Sequence, residues 1–371
     1  MTILILANAR YNGGISGGDA IYESFVKYWP EQIEVRTMME IDYKPFAVCY
    51  LHRIIVACYR AIKDKRKHDL VYSASDFMMD SLPAFIYKLK GMKWIAGFYL
   101  KALANNPIHI ITQFFVKIII DRYAGMVIVT NPTMFKYFPG KIKTWINGGI
   151  DLSKAGEPED KVYDAVFCGR IHPSKGIDEL IKAWATVRLK CKKARLAIIG
   201  DGDLGIGYIK RKIQSYPELN PNSGIDLLGY MGDGRYEVYK RSRVVLYPTP
   251  KRYDHFSMAP VEAMACGCIM VCFKNPCIEE MKTPCIMGYD CDHLAIATLL
   301  YSGLYKQQWQ VDQDEHLTEM RETSVRWARQ FDYKTQSLRV YNDIMGVINA
   351  NSDFGVKGHD WDGSLSQVKE A

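Results

Sequence analysis

The stretch Asp164-Ala165-Val166-Phe167-Cys168-Gly169-Arg170-Ile171-His172-Pro173-Ser174-Lys175-Gly176 decides the fold. It starts as a short apolar run that ends at a Gly-containing loop, which predicts a buried strand over Asp164–Cys168. An amphipathic segment at residues 176–191 predicts a helix, and the next apolar run predicts a strand over Arg195–Ile199. Strand, helix and strand in this order form a βαβ unit with parallel strands. The chain therefore contains a parallel sheet covered by helices.

The same alternation continues on both sides of this unit. In the second half, apolar runs predict further strands over Gly224–Leu228, Arg243–Tyr247 and Ile269–Phe273. In the first half they predict strands at residues 2–7, 34–37, 70–73, 93–96, 126–129 and 143–146. A Gly-rich turn at residues 147–151 separates the halves. We predict two Rossmann-like domains at residues 1–150 and 164–330, a polar linker at 151–163, a terminal helix at 331–349 and a disordered polar tail at 350–371.

Composition and charge narrow the function classes. The chain has 371 residues, 48% hydrophobic and 24% charged, which excludes a collagen, a coiled coil and a largely disordered protein. Its ten cysteines follow no secreted-protein spacing, so we predict a cytoplasmic chain. The whole chain has a net charge of +7, and its basic excess lies in residues 1–150, which hold 19 Lys and Arg against 11 Asp and Glu. That half is predicted to face an anionic partner: a membrane surface, a nucleic acid or a phosphorylated substrate.

Two cations at the carboxyl end of the predicted strand Asp164–Cys168 are candidates for an anion site. Arg170 and Lys175 lie in the loop between this strand and the following helix. Ligands of open α/β sheets bind at this edge, where two cations and a helix N-terminus can together hold a diphosphate. The alternative is a pair of solvated charges.

The stretch Tyr253-Asp254-His255-Phe256-Ser257-Met258-Ala259-Pro260-Val261-Glu262 connects the strand Arg243–Tyr247 to a helix. It places two carboxylates, Asp254 and Glu262, with seven residues between them. A carboxylate one turn into a helix can accept hydrogen bonds from a ribose diol, and the amides at the helix start can bind phosphate. The alternative is that these acids only complement the helix dipole.

Two glycine-rich loops also follow predicted strands. Residues 12–18 contain four glycines, among them Gly13 and Gly14, which let a phosphate or a sugar approach the main chain; a tight turn is the alternative. Residues 200–205 match the G-x-G-x-x-G dinucleotide fingerprint. Asp201 and Asp203 would place two carboxylates where a pyrophosphate must approach, so we favour a plain strand-to-helix turn there.

Two further patterns have competing interpretations. Six cysteines fall between residues 266 and 291, but their spacing lacks the paired C-x2-C of zinc sites, and we interpret them as structural thiols. Residues 85–121 mix cations with aromatic side chains, which suits binding to an anionic bilayer surface. The alternative is a set of core helices whose lysines lie on the solvent-exposed face. The residues of this mixture are Lys88, Lys90, Lys93, Lys101, Lys117, Trp94, Phe98, Tyr99, Phe114 and Phe115.

Several motifs together resemble the donor domain of retaining glycosyltransferases of glycosyltransferase family 4, which have the GT-B fold. They are Gly169-Arg170-x4-Lys175-Gly176, Ile198-Ile199-Gly200-Asp201-Gly202, Leu228-Gly229-Tyr230 and Asp254-x7-Glu262-Ala263-Met264-Ala265-Cys266-Gly267. The resemblance covers about residues 1–349. It implies two Rossmann-like domains facing each other across a cleft, the first binding an acceptor and the second a nucleotide-sugar. The C-terminal helix is expected to cross back to the first domain.

The resemblance also implies roles for individual residues. Arg170 and Lys175 would neutralise the donor diphosphate and stabilise the leaving group, and Asp254 would meet the transferred sugar. Glu262 would hold the ribose, and the other donor-binding candidates are Gly13, Gly14, Tyr230, Phe256, Ser257 and Met258. No metal and no cofactor besides the nucleotide-sugar is implied, because cationic side chains can stabilise the leaving group.

Two departures from the family pattern stand out. Asp254 occupies the position of a glutamate, one methylene shorter. After the strand at residues 93–96, where many relatives carry a histidine, the chain reads Gly97-Phe98-Tyr99-Leu100. No catalytic residue of the first domain is therefore assigned.

Together with the residues that carry it, the resemblance implies a metal-independent, retaining glycosyltransferase. It would move a sugar from a nucleotide-sugar donor to a membrane-associated lipid-linked or polysaccharide acceptor, in the cytoplasm or on the inner face of the membrane, with no nucleic acid partner. The alternatives are a GT-B-fold sugar-nucleotide isomerase or phosphorylase, and a non-catalytic sugar-nucleotide-binding subunit.

Overall fold

The computed structural model describes residues 1–10, 22–23, 26–30, 32–99, 107–130, 132–146, 149–202, 204–250, 257–304 and 310–349. The chain divides into two compact units. Unit 1 comprises Met1–Gly149 and Tyr333–Ala371, and unit 2 is the continuous segment Ile150–Asp332. Each unit contains its own parallel sheet of six strands. The predicted α/β class with two Rossmann-like units is confirmed.

The sheet of unit 1 has the strand order β2-β1-β3-β4-β5-β6. In chain order, β1 to β6 are Thr2–Ala7, Gln32–Thr37, Leu70–Ser73, Lys93–Phe98, Met126–Val129 and Ile142–Trp145. The helices between them are α1 to α3, at Phe46–Lys63, Met78–Leu89 and Pro107–Tyr123, and a 3-10 turn lies at Pro132–Tyr137. Helix α2 packs on β3 and β4, and α1 packs against α2. Side chains of β1 are buried on both faces of the sheet, which explains its uninterrupted apolar sequence.

The sheet of unit 2 has the order β12-β11-β10-β7-β8-β9. In chain order, β7 to β12 are Tyr163–Cys168, Leu196–Ile199, Ile225–Gly229, Ser242–Tyr247, Ile269–Phe273 and Cys285–Gly288. Helices α4 to α11 are Leu152–Ala155, Ile177–Lys190, Gly205–Gln214, Arg235–Lys240, Met258–Ala265, Pro276–Glu280, Cys291–Tyr301 and Gln310–Ala328. Four 3-10 turns lie at Pro173–Lys175, Pro217–Leu219, Gly232–Gly234 and Arg329–Phe331. Phe167, Trp184 and Leu294 belong to the buried core between this sheet and its helices.

The terminal helix α12, Tyr333–Asn349, belongs to unit 1. Its buried side chains Val340 and Ile344 join the core formed by Ile3 and Ile5 of β1. Lys93 of β4 donates a hydrogen bond to the carbonyl of Ile348 near the end of this helix. The predicted return of the C-terminal helix to the first domain is confirmed.

The segment predicted as a linker, residues 151–163, packs on unit 2. The Asp151 carboxylate accepts a hydrogen bond from the Ser153 amide at 3.1 Å and caps α4. Farther along, the Glu159 amide donates to the Lys240 carbonyl at 3.1 Å. The Cys266 thiol donates to the Ala155 carbonyl at 3.3 Å. These contacts satisfy backbone groups that a polar linker would expose to water.

Candidate functional site

The loops that follow β7 and β10, together with the start of α8, form the candidate site of unit 2, which we call the switch-point site. From β7 the chain proceeds to β8 and β9 on one side of the sheet, and from β10 to β11 and β12 on the other. Strands β7 and β10 are paired neighbours, with Ala165 opposite Val244. Ligands of open α/β sheets bind at such a switch point, outside the carboxyl ends of the strands. The structure thus brings the Arg170–Lys175 loop and the Ser257–Glu262 segment to adjacent strand ends.

Glycines allow the loops of this site to touch. Gly176 has a φ of +72°, and a Cβ at this position would lie 1.9 Å from the carbonyl oxygen of Pro248 after β10. Gly200 has a φ of +130°, and its Cβ would lie 2.0 Å from the carbonyl oxygen of Gly169 after β7. No side chain fits such distances. Gly200, the first glycine of the apparent dinucleotide fingerprint, therefore serves backbone packing.

Asp226 lies about twenty positions after that fingerprint, where a dinucleotide site carries an acidic residue for the ribose, and it is paired with Arg195. The Arg195 guanidinium donates to the Asp226 carboxylate at 2.7 Å on the sheet surface. Asp226 lies inside β9 and not at its carboxyl end. This placement agrees with a plain strand-to-helix turn at residues 200–205.

Arg170 and Lys175 differ in their exposure. Arg170 is exposed, whereas Lys175 is partly buried at the end of the 3-10 turn. The His172 ring caps this turn, since its Nδ1 accepts a hydrogen bond from the Ser174 amide at 3.1 Å. Burial, and then repulsion by Arg170, lower the pKa of Lys175 to about 8. A desolvated ammonium beside a second cation gains much from an anionic ligand.

Glu262 is held by an arginine that sequence reasoning missed. Arg235, the first residue of α7, donates from Nε to Oε2 at 2.7 Å and from Nη2 to Oε1 at 2.8 Å. The Tyr239 hydroxyl lies 3.4 Å from Oε2. These bonds raise the pKa of Arg235. A carboxylate has about four acceptor positions, so one remains for a further donor.

A sequence signal for this pair does exist in α8. Glu262 is the one charged residue of the helix Met-Ala-Pro-Val-Glu-Ala-Met-Ala, and it is only 7% exposed. A buried carboxylate requires a partner. The sequence does not show which cation supplies it, because Arg235 lies on another helix.

The start of α8 has no side-chain cap within the described residues. Ser257 is the N-cap residue, and its side chain makes no capping hydrogen bond. The first turn of α8 contains no acidic residue. Helix starts with open amides favour anions, and here the amides of Ser257 and Met258 precede Pro260, which has no N–H.

The remaining donor-binding candidates have different outcomes. Tyr230 directly follows β9, two strands from β7 at the same sheet edge, and is 84% exposed. Gly13, Gly14, Asp254 and Phe256 lie outside the described residues.

The carboxyl edge of the sheet in unit 1 holds a buried polar cluster that sequence reasoning also missed. The Asn8 amide, after β1, donates to the Asp80 carboxylate at 2.6 Å. Asp76, after β3, accepts a hydrogen bond from Gln113 at 2.6 Å and lies 3.5 Å from the His109 ring. No histidine follows β4 in register, and His109 arrives instead from α3.

The predicted mixture of lysines and aromatic residues at 85–121 is not one surface. Trp94, Phe98 and Tyr99 are buried in the core because β4 is an inner strand. Lys90 donates to the carbonyls of Ala61, Ile62 and Asp64 and so caps the end of α1. Lys101 lies outside the described residues, and Phe114 and Phe115 are exposed. Trp94, Phe98 and Tyr99 therefore do not contribute to a surface, whereas a bilayer contact through Phe114 and Phe115 stays a prediction.

Two findings concern metals and membranes. Within the described ranges, no group of three or more His, Cys, Asp or Glu side chains is placed to hold a metal ion. All ten cysteines lie in those ranges as free thiols, and Cys266, Cys268, Cys272 and Cys277 are buried. None of the helices in the described part of the chain has the length and apolar character needed to cross a membrane.

A family model matches the segment that contains the switch-point site. Residues 163–299 match the family model described as Glycosyl transferases group 1. Over 139 residues the chain is 30% identical to lipopolysaccharide 1,2-N-acetylglucosaminetransferase of Salmonella typhimurium. This match covers 35% of the chain and 34% of the Salmonella protein, so the chain spans about a third of that relative.

Solved structures resemble nearly the whole chain. Anabaena HepE in complex with UDP has a TM-score of 0.66 and 17% identity, covering 93% of this chain and 100% of HepE. The trehalose-6-phosphate structure from E. coli, bound with UDP-2-fluoro glucose, has a TM-score of 0.66 and 12% identity, covering 94% of this chain and 99% of that one. At these identities the likeness establishes the fold. The chain has the GT-B fold.

Proposed function

We propose that the chain transfers a sugar from a nucleoside diphosphate sugar to a hydroxyl acceptor. The observation that carries this proposal is that Arg170 and Lys175 follow β7 at the switch point of unit 2, next to β10, the strand that precedes α8. Two cations and open helix amides match a diphosphate in charge and in hydrogen bonding. The family-model match, residues 163–299, spans all these residues.

The proposed mechanism assigns charge stabilisation to the cations. As the bond between the anomeric carbon and the diphosphate oxygen breaks, negative charge grows on the diphosphate. Arg170 and Lys175 stabilise that charge in place of a metal ion, while the amides of Ser257 and Met258 hold the phosphate oxygens. We propose that the reaction needs no metal and retains the anomeric configuration.

The rest of the donor is assigned to residues around this centre. Glu262 uses its remaining acceptor position for a ribose hydroxyl, and Arg235 keeps the carboxylate oriented. The exposed ring of Tyr230 provides a stacking surface for the base. Asp254 is proposed to contact the transferred sugar and Phe256 the phosphate, with Gly13 and Gly14 approaching the donor from the loop after β1.

The acceptor is proposed to be a lipid-linked glycan or a polysaccharide at the inner face of a membrane. The excess of basic residues in residues 1–150 supports the proposal that the first domain faces an anionic surface. The similarity to a lipopolysaccharide sugar transferase supports the same class of acceptor. Ten free thiols support a reducing, cytoplasmic location.

The function is tested with UDP and a panel of UDP-sugars in buffer that contains excess EDTA. UDP complexes of similar structures make these ligands the first choice. A ligand at 100 times its dissociation constant stabilises the fold by about 2.7 kcal/mol, which a thermal melt detects. We expect stabilisation and slow release of UDP from one sugar donor, both unaffected by EDTA.

Three outcomes would count against parts of this proposal. Activity that disappears in EDTA and returns with Mn²⁺ would contradict metal independence. Binding of UDP without any release from a sugar donor, even with glycan acceptors, would favour a non-catalytic subunit. No stabilisation by any nucleotide would contradict the donor site itself.

A pH dependence follows from the lowered pKa of Lys175. Its folded-state pKa of about 8 lies below the ordinary value of 10.5, so the side chain loses its charge above pH 8 in the ligand-free protein. We expect UDP affinity to fall as the pH rises from 7.5 to 9, by up to about tenfold per unit for one linked proton. Between the two pKa values the unfolded chain binds the extra proton, so the free energy of unfolding rises with pH in that window.

Isothermal calorimetry across this range measures the UDP affinity. The matched control is Lys175→Arg, because arginine stays charged throughout. A slope that persists unchanged in Lys175→Arg would assign the titration to another group.

A further inference from the structure

Helix α1 of unit 1 buries the wrong face for an ordinary surface helix. Its inward side consists of Cys49, Arg53, Ala57 and Ala61, all at most 5% exposed. Its outward side consists of larger apolar residues that are 53% to 60% exposed: Val48, Leu51, Ile55, Tyr59 and Ile62. Surface helices normally turn their large apolar residues to the core. Here the fold buries small residues and an arginine instead.

The buried arginine explains why this orientation is imposed by the fold. Arg53 donates from Nε to the Ile41 carbonyl at 2.6 Å. Its Nη1 donates to the carbonyls of Asn8 at 3.2 Å and Arg10 at 2.9 Å, in the loop after β1. Rotating α1 to bury its apolar stripe would break these hydrogen bonds and leave the Arg53 guanidinium without them. The exposed stripe is therefore a stable feature of the folded unit.

The stripe on α1 is straight and continuous. Its members are spaced by 3, 4, 4 and 3 residues, which keeps them on one side of an α-helix over a length of about 21 Å. Such a stripe has the dimensions of an interfacial membrane helix.

Helix α3 has a second exposed apolar stripe. Ile110, Ile111, Phe114, Phe115 and Ile118 are 41% to 60% exposed, whereas Gln113, Val116 and Ile120 face inward. Both helices flank α2, and their N-terminal parts meet at Phe77. The Tyr50 ring of α1 lies 6.4 Å from the Phe77 ring, and the His109 ring of α3 stacks on it at 5.0 Å. The exposed sides of α1 and α3 form what we call the apolar face of unit 1.

The charges around this face are basic. Helix α1 contains no Asp or Glu, and the exposed residues Lys63, Lys65 and Lys67 follow the end of its stripe. Helix α3 adds Lys117 and Arg122 against the single acid Asp121. Helices α1 and α3 together carry eleven of the 21 large hydrophobic side chains that are exposed in the described part of the chain. An apolar centre with a cationic margin complements an anionic lipid surface.

We propose that the apolar face of unit 1 docks on an anionic bilayer, with the stripes of α1 and α3 inserted at the boundary between headgroups and acyl chains. Lys63, Lys65 and Lys67 contact the anionic headgroups. A second copy of the chain fits less well, because both copies would bring the same basic margin to the contact. The proposed function supplies the purpose of this docking, which is access to a membrane-bound acceptor. The docking surface itself is independent of the donor site.

The test is co-sedimentation of the full chain with phosphatidylcholine vesicles and with vesicles containing phosphatidylglycerol at 30 mol%. We expect binding to the anionic vesicles at low salt and a reduction of at least tenfold in the partition coefficient for Leu51→Glu/Ile55→Glu. The matched control is Ile296→Glu in unit 2, which has a similar exposure of 54% and should bind as the wild type does. Lys63→Gln/Lys65→Gln/Lys67→Gln should weaken binding at low salt and little at high salt.

Folding and donor chemistry are checked in parallel. Thermal melts establish that each variant folds, and Leu51→Ala/Ile55→Ala provides a milder pair if the glutamate variant does not. Release of UDP from a soluble donor should be unchanged in Leu51→Glu/Ile55→Glu, so a failure of docking is distinguishable from a failure of the proposed transfer. Equal binding of the wild type and both stripe variants would overturn the proposal, as would no binding to anionic vesicles. A dimer in sedimentation equilibrium that dissociates in Leu51→Glu/Ile55→Glu would assign the face to a second copy instead.

Discussion

Replacing Arg170 by alanine or Lys175 by methionine is expected to lower turnover by roughly 10²–10³-fold, the loss typical of removing one preorganised charge-stabilising group. Both cations lie where the departing diphosphate accumulates charge. Neither replacement should unfold the protein, since Arg170 is exposed and the Lys175 charge is already disfavoured by burial. Steady-state release of UDP from the donor measures the effect.

The matched control for both variants is Lys210→Ala on α6. Lys210 is an exposed cation of the same unit, outside the switch-point site, and its removal should leave turnover unchanged. Thermal melts accompany each assay. Turnover within a few fold of the wild type in both site variants would refute the assignment of Arg170 and Lys175.

The second large effect concerns the ion pair of Arg235 and Glu262. Arg235→Met removes the partner of a carboxylate whose side chain is only 9% exposed. We expect the free energy of unfolding to fall by about 2–3 kcal/mol, less than the ~3–5 kcal/mol of a fully buried pair because the Arg235 side chain remains 26% exposed. Urea unfolding followed by circular dichroism measures the change.

The chain offers a matched control on the same helix. Lys240 and Glu237 form a pair at 2.9 Å, but Glu237 is 61% exposed, so Glu237→Gln should leave the free energy of unfolding nearly unchanged. The double variant Arg235→Met/Glu262→Leu should recover most of the free energy of unfolding, since an apolar pair can replace a buried ion pair. Its affinity for UDP should nevertheless be lower than that of the wild type. Full UDP affinity in the double variant would remove Glu262 from the donor site.

Much of the fold could be predicted because local patterns determine it. The strands at residues 70–73 and 126–129 are short apolar runs bounded by polar turns, and the structure has them with the predicted ends. Strand β12 and helix α10 were not predicted. Cys285–Gly288 is a short edge strand with little apolar contrast, and Cys291–Tyr301 is apolar on nearly every side. Neither has the periodicity that sequence reasoning requires.

The candidate site was only partly predictable for a different reason. Arg170 and Lys175 lie next to a strand end, so their position follows from one βα unit. Arg235 reaches Glu262 only because α7 and α8 pack together, a contact between residues 27 positions apart in the chain. The exposed stripe of α1 was also missed, because a helical apolar pattern predicts which residues share a face and not whether that face points inward.

The discontinuity of unit 1 has a consequence for the order of events during synthesis. Unit 2 is one continuous segment, so its residues are all present as soon as Asp332 has left the ribosome. The core of unit 1 lacks Val340 and Ile344 until the later helix α12 follows. The half that is synthesised first therefore completes its core last, and until then the apolar side chains that Val340 and Ile344 cover stay exposed to chaperones and to aggregation.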